Sequence, residues 1–264
     1  MKIVAILLLA ILTFSCSDDD EKSTEENKGQ WAMIFNETIK SDSNPVDRTE
    51  KFMFDGERLI QHIIKQRYFE EEISNEVNLS YSDNQVTVTT DYLTLVYTLN
   101  SEGYASQCVY SLSSQNRIYQ FSYSAEGYLT GIVENIDDTE YSSTSLTYEN
   151  GDITSISSKM NGLENKFIYE PGEESSTYHL PCLGLLEIHP LTFHIEALYA
   201  GLLGKDPRHF TMHSCPAGSN DEKTVYSYGF DKKGNPSRMI CQTTYAGGQA
   251  SYYPYTRNIS ISFE

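Results

Sequence analysis

One motif recurs along this chain and leaves few folds open to it. An aromatic-x-aromatic strand end is followed by a short polar turn with glycine, then by an aliphatic strand. It reads Phe52-Met53-Phe54-Asp55-Gly56-Glu57-Arg58-Leu59 and returns as Val96-Tyr97 to Gly103-Tyr104. Further copies are Phe121-Ser122-Tyr123 to Gly127-Tyr128-Leu129, Leu146-Thr147-Tyr148-Glu149-Asn150-Gly151-Asp152-Ile153 and Tyr226-Ser227-Tyr228 to Gly234-Asn235. Phe167 to Gly172 is a truncated copy, and Leu79-Ser80-Tyr81 to Gln85-Val86 is a version without glycine.

Asn150-Gly151 suits a two-residue type I′ turn, whose twist matches that of the flanking strands. Asn100 to Gly103 and Ser124 to Gly127 suit a type I turn closed by a left-handed glycine, which takes that conformation without steric penalty. Stretches such as Gln85-Val86-Thr87-Val88-Thr89 and Ile153-Thr154-Ser155-Ile156-Ser157 alternate apolar and polar residues, so one face is buried. Twenty tyrosines and eleven phenylalanines stand beside a single tryptophan, Trp31, a composition that favours strands. The spacing predicts a mainly β fold: an antiparallel meander of about fourteen strands. A sheet that wide has to curl, here into a barrel or half-barrel.

The repeat is interrupted between Tyr169 and Tyr226. Leu191, Ile195, Leu198, Tyr199 and Leu202 recur at helical spacing, with Pro190 at the start and Gly204 and Pro207 at the end. One helix over about 190–204 is expected, within an insertion at about 180–222. Its other face is small (Ala197, Ala200, Gly201), so it should lie against or inside the curled sheet. The run Ala197 to Lys205, followed by Tyr226-Ser227-Tyr228-Gly229-Phe230-Asp231-Lys232-Lys233-Gly234-Asn235-Pro236, resembles a Bacteroidetes lipoprotein family of unknown function described as having a porin-like fold. The resemblance implies a barrel and brings no catalytic residues. Where that family has Asn-Leu-Pro after the helix, this chain has Asp206-Pro207-Arg208.

The N-terminus reads as an address. Lys2, an apolar run from Ile3 to Phe14, and Ser15-Cys16 form a signal peptide (1–15) ending at a lipobox-like cysteine. The run is too short to span a membrane as a helix. Cys16 is the expected lipidation site, and several acyl chains would make the anchor effectively permanent. Residues 16–28 hold the cysteine and an acidic segment with six Asp or Glu and two Lys, expected to be a flexible tether. Such a run resembles the surface-export signal of Bacteroidetes lipoproteins. Residues 29–264 then form a single hairpin-repeat domain, expected at the outer membrane and displayed on the cell surface.

The net charge of -18 argues against nucleic acid or an anionic membrane surface as partner. Contact with the membrane is expected only through the lipid anchor, and the domain is expected to be a monomer. Membrane-spanning strands need ~9–11 residues with an apolar outward band. The strands legible here are mostly shorter, with outward positions rich in Ser, Thr and charge.

Of the four cysteines beyond the lipid site, Cys182 and Cys215 flank the insertion and are the expected disulfide, while Cys108 and Cys241 could be buried thiols. His209-x-x-x-His213-x-Cys215 carries zinc-ligand types at a spacing that matches no established motif, so no metal site is expected there. Gly201 to Lys205 lacks the pattern of a phosphate loop, and no nucleophile elbow or dinucleotide fingerprint is present. No cofactor and no enzymatic activity are expected. Tyr245, Tyr252, Tyr253 and Tyr255, in a glycine-rich stretch, are the candidate ligand-binding rings, set against the ordinary use of aromatics to cover a sheet. The leading expectation is a non-catalytic domain binding a glycan or an envelope protein. The alternatives are a purely structural envelope component and a hydrolase using the histidine-rich insertion.

Overall fold

The computed structural model describes residues 29–39, 46–68, 71–112, 115–176, 178–181, 183–219, 222–245 and 256–264. The signal peptide, Cys16 and the tether lie outside the described residues. In chain order the strands are β1 Gln30–Ile39, β2 Val46–Asp55, β3 Arg58–Tyr68, β4 Glu71–Ser82, β5 Gln85–Thr89, β6 Thr94–Leu99, β7 Ala105–Leu112 and β8 Gln115–Tyr123. They continue as β9 Leu129–Ile136, β10 Thr139–Glu149, β11 Asp152–Met160, β12 Leu163–Ser175, β13 His209–Pro216, β14 Glu222–Phe230, β15 Pro236–Tyr245 and β16 Thr256–Phe263. Each pairs antiparallel with its neighbours, and β1 pairs with β16, which closes the meander into a barrel.

Sixteen strands therefore replace the expected fourteen. The truncated motif is not the source of the difference. Phe167 to Gly172 makes no turn, because β12 continues to Ser175 and absorbs Pro171 at an irregularity opposite β13. The other glycine turns form as expected. Asn150 and Gly151 have φ of 53° and 89°, the pair of positive angles that a type I′ turn requires. Three longer turns share one device. Asn100 Oδ1 accepts from the amides of Glu102 and Tyr104, Ser124 Oγ from those of Glu126 and Tyr128, and Asp231 Oδ1 from those of Lys233 and Asn235.

Inward positions near the glycine turns are large and apolar: Phe52, Leu59, Val86, Tyr97, Ile132, Ile156, Tyr226 and Met239 are almost fully buried. Outward positions are polar, as in Thr256, Asn258, Ser260 and Ser262 of β16. This is the reverse of a barrel that faces lipid.

The interior is filled by the segment between β12 and β13, residues 176–208. In place of one helix over 190–204 it forms α1 (Leu183–Leu186), a 3-10 turn (Leu191–Phe193) and α2 (Ile195–Tyr199). His194 breaks the run with φ -123° and ψ 28°. Gly201 ends it with φ 68°. The amide of Gly201 bonds the carbonyl of Leu198, and that of Leu202 bonds the carbonyl of Ala197, the paired bonds of a Schellman cap. Of the expected stripe, Leu191, Tyr199 and Leu202 are buried and Ile195 and Leu198 partly so, and Ala197 of the small face is buried as well. Tyr199 packs on Phe52 at 4.1 Å between ring centres and on Phe35 at 5.9 Å.

The exit of this plug is stitched to successive hairpin ends. Ala105 N–H donates to the Leu202 carbonyl, Lys205 N–H to that of Gly127, and Arg208 N–H to that of Gly151.

Cys215 is half-buried and forms no disulfide with a described residue. Ser214 faces inward, which turns Cys215 to the outer face, whereas Pro181 and Leu183 are buried in the plug. Cys182 itself lies outside the described residues. Cys108 and Cys241 are buried thiols, and burial pushes that of Cys108 up to about 12.

Candidate ligand-binding site

Closure of the barrel brings the two ends of the domain side by side. Trp31 on β1, Phe54 on β2 and Phe263 on β16 meet Tyr178, which enters from the plug. The Trp31 ring stacks on Phe54 at 4.1 Å and 7°, and Tyr178 packs on Phe263 at 4.6 Å. Trp31 Nε1 donates to the Gly56 carbonyl at 2.8 Å, and Tyr178 OH donates to Asn235 Oδ1 at 2.7 Å, so both rings are fixed in place. The four rings line a cleft of 730 Å³, together with the polar side chains Glu57, His179, Asp206 and Asn235. That volume lies in the range of small-molecule sites.

Tyr178 and His179 have φ of 61° and 48°. Among the described residues, the other positive-φ residues that are not glycine are Asp137, Asp138, Asn150 and Asn161, all in two-residue hairpin turns. Side chains as large as Tyr and His in this region cost ~1–3 kcal/mol each, a strain that concentrates at ligand clamps. His179 is held by Asp206 across the cleft wall. That contact raises the imidazole pKa above its usual value, against the opposing effect of burial.

The expected tyrosine site fares differently. Tyr245 ends β15, while Tyr252, Tyr253 and Tyr255 lie outside the described residues. His209 and His213 are not brought together on a shared ion. His209 Nδ1 meets Asp152 Oδ2 at 2.9 Å, and His213 Nδ1 meets Glu170 Oε2 at 2.9 Å on the outer face. Among the described residues no group of three or more His, Cys, Asp or Glu side chains could hold a metal ion.

The remaining histidines bind the plug to the wall. His62 on β3 is fully buried, with Nδ1 2.8 Å from Glu196 of α2 and Nε2 3.2 Å from Glu50 of β2. Burial disfavours its charge, yet the two carboxylates outweigh burial and raise its pKa. His189 meets Glu134 of β9 at 2.5 Å, and Glu134 also accepts from Arg117, Tyr119 and Ser142. Burial raises the Glu134 pKa, but His189, Ser142 and Arg117 outweigh it and leave the carboxyl below its usual value. His194 takes Tyr97 OH at 2.8 Å, and burial lowers its pKa to about 3, so it is neutral.

Trp31 and Phe263 were visible in the sequence as a lone tryptophan and a C-terminal aromatic. Nothing local links residues 31, 54, 178 and 263. The link is the β1–β16 pairing, which sets Met33 opposite Phe263.

The architecture defines a class: a closed antiparallel barrel with an apolar interior plugged by its own insertion. Comparison with known proteins agrees. Residues 52–238 match the family described as a domain of unknown function (DUF4595) with porin-like fold, and the chain belongs to that family. It is similar to a porin-like protein from Bacteroides uniformis, at 27% identity and a TM-score of 0.80, covering 88% of this chain and 96% of that one. A porin-like protein from Bacteroides vulgatus shares the fold at 12% identity and a TM-score of 0.52, covering 87% and 97%. No curated protein matches the chain.

Proposed function

We infer that this is a lipid-anchored outer-membrane protein, acylated at Cys16 after removal of residues 1–15 and displayed on the cell surface, whose barrel is a non-catalytic binding domain for a neutral glycan. The observation that carries the binding reading is the cleft of Trp31, Phe54, Tyr178 and Phe263, held by strained backbone and rimmed by polar groups. Flat aromatic faces pack on the apolar faces of sugar rings, and the carboxylates and amides around them bond hydroxyls. The filled interior and polar outer faces favour a soluble binding body over a channel. The lipobox and the acidic run support the address.

Trp31 is the sole tryptophan and so reports directly on the cleft. Titrating the purified full-length protein with a panel of neutral oligosaccharides should shift its emission saturably. The shift should weaken in Tyr178→Ala. Silence across the panel, with the protein folded, would remove the glycan reading.

A further inference from the structure

The aromatic cleft sits where the chain enters the barrel. Gly29 and Gln30 line it, directly before Trp31. The start of β1 is pinned there, because Ala32 and Glu264 exchange two backbone hydrogen bonds of 2.9 Å. Ser176, Tyr178, His179 and Asp206 line the same cleft, so the plug also enters and leaves at this end. The other mouth of the barrel lies a strand's length away, roughly 33 Å for the ten residues of β2.

Gly29 follows Cys16 by thirteen positions. That stretch spans at most about 45 Å. With Cys16 acylated, the cleft end is the anchored end, and the cleft stays within that reach of the leaflet. The opposite mouth can stand farther off by the length of the barrel. The net charge of -18 repels anionic lipid, so the cleft is not pressed onto the surface and a gap remains for a ligand. A molecule rooted in the same leaflet meets the cleft directly. One on a facing surface must first get past the barrel.

We propose that the ligand of the cleft is a neutral saccharide chain carried on a lipid of the protein's own membrane. This rests on the glycan-binding reading above and adds the source of the glycan. Among the described residues lining the cleft, Glu57, Asp206 and Glu264 are carboxylates and only His179 is basic. That balance turns away acidic sugars and phosphate-bearing headgroups, so the contact is with the sugar and not with the lipid surface. Anchoring both partners in one leaflet makes their encounter effectively intramolecular, which raises apparent affinity without any new contact.

The test uses the acylated full-length protein on phosphatidylcholine vesicles, with Trp31 emission as the readout. Each neutral oligosaccharide of the panel is offered in three forms: free, as a dialkylglycerol conjugate in the same vesicles, and as that conjugate in separate vesicles. The same-vesicle conjugate should half-saturate the shift at a bulk concentration at least about tenfold below that of the free sugar. The separate-vesicle conjugate should show no such gain. A Gly/Ser insertion between Lys28 and Gly29 that triples the tether should cut the gain about fivefold and leave binding of the free sugar unchanged. Saturable binding of a free sugar with no gain in the same vesicles would overturn the proposal and leave the glycan reading standing. So would an equal gain from separate vesicles, or a gain indifferent to tether length. Silence from every form would remove both.

Discussion

At the scale of single residues, the buried carboxylates are committed to partners, although His194 Nε2 is buried without one. Glu134 shows the cost of that arrangement. Its side chain is fully covered and takes four contacts, from Arg117, Tyr119, Ser142 and His189. Breaking a buried pair by removing one charge typically costs ~3–5 kcal/mol. Glu134→Gln should therefore lower unfolding free energy by about that amount at pH 7, measured by urea denaturation. Because its pKa is lowered in the fold, its contribution is full above the usual 4.5 and is lost as pH falls through the folded value. The gap between wild type and variant should close on acidification; a constant gap would show that the charge is not what matters. His62 has the opposite sign. Its pKa is raised, so its contribution is full below 6.5 and is lost as pH rises through the folded value. His62→Gln should destabilise most at pH 6 and least at pH 9.

At the scale of elements, the glycines separate two effects. Gly103 and Gly204 both have positive φ, 85° and 91°. A Cβ on Gly103 would meet nothing within 4 Å, whereas one on Gly204 would lie 2.7 Å from the Gly127 carbonyl oxygen. Gly103→Ala should cost only the left-handed backbone, ~1–2 kcal/mol. Gly204→Ala should cost a further ~1–3 kcal/mol from overpacking, because the obstacle is backbone and part of the plug's stitching to the β8–β9 turn. Equal thermal shifts for the two variants would mean that the plug exit yields readily. The plug is also where local reasoning fell short. The stripe from Leu191 to Leu202 was legible, but the break at His194 was not. It exists because His194 turns to Tyr97 and Tyr119 across the interior, contacts that local periodicity does not encode.

At the scale of the whole molecule, the polar outer face predicts behaviour in solution. The chain from Gly29 onward should remain soluble and monomeric without detergent, checked by light scattering. A requirement for detergent would mean that the outer face meets lipid. Lengthwise the interior is uneven. Next to the glycine turns it is dry and aromatic, then comes a charged layer of Glu37, Arg48, Glu50 and Arg257, and the far end of β4, Glu71 to Glu76, is exposed at every position. Hydrogen exchange should be slowest around Phe52 and Tyr97 and fastest in that exposed stretch.

The sequence by itself determined the β class, the hairpin turns and the filled interior, because turn chemistry and inward–outward alternation are local properties of a few residues. The near-continuous run of motifs also implied a meander. Only the tertiary structure decided that β1 meets β16, that the count is sixteen, that Cys215 faces away from the plug, and that Trp31, Phe54, Tyr178 and Phe263 share one cleft. Each of these depends on register accumulated around a closed sheet, which no local pattern states.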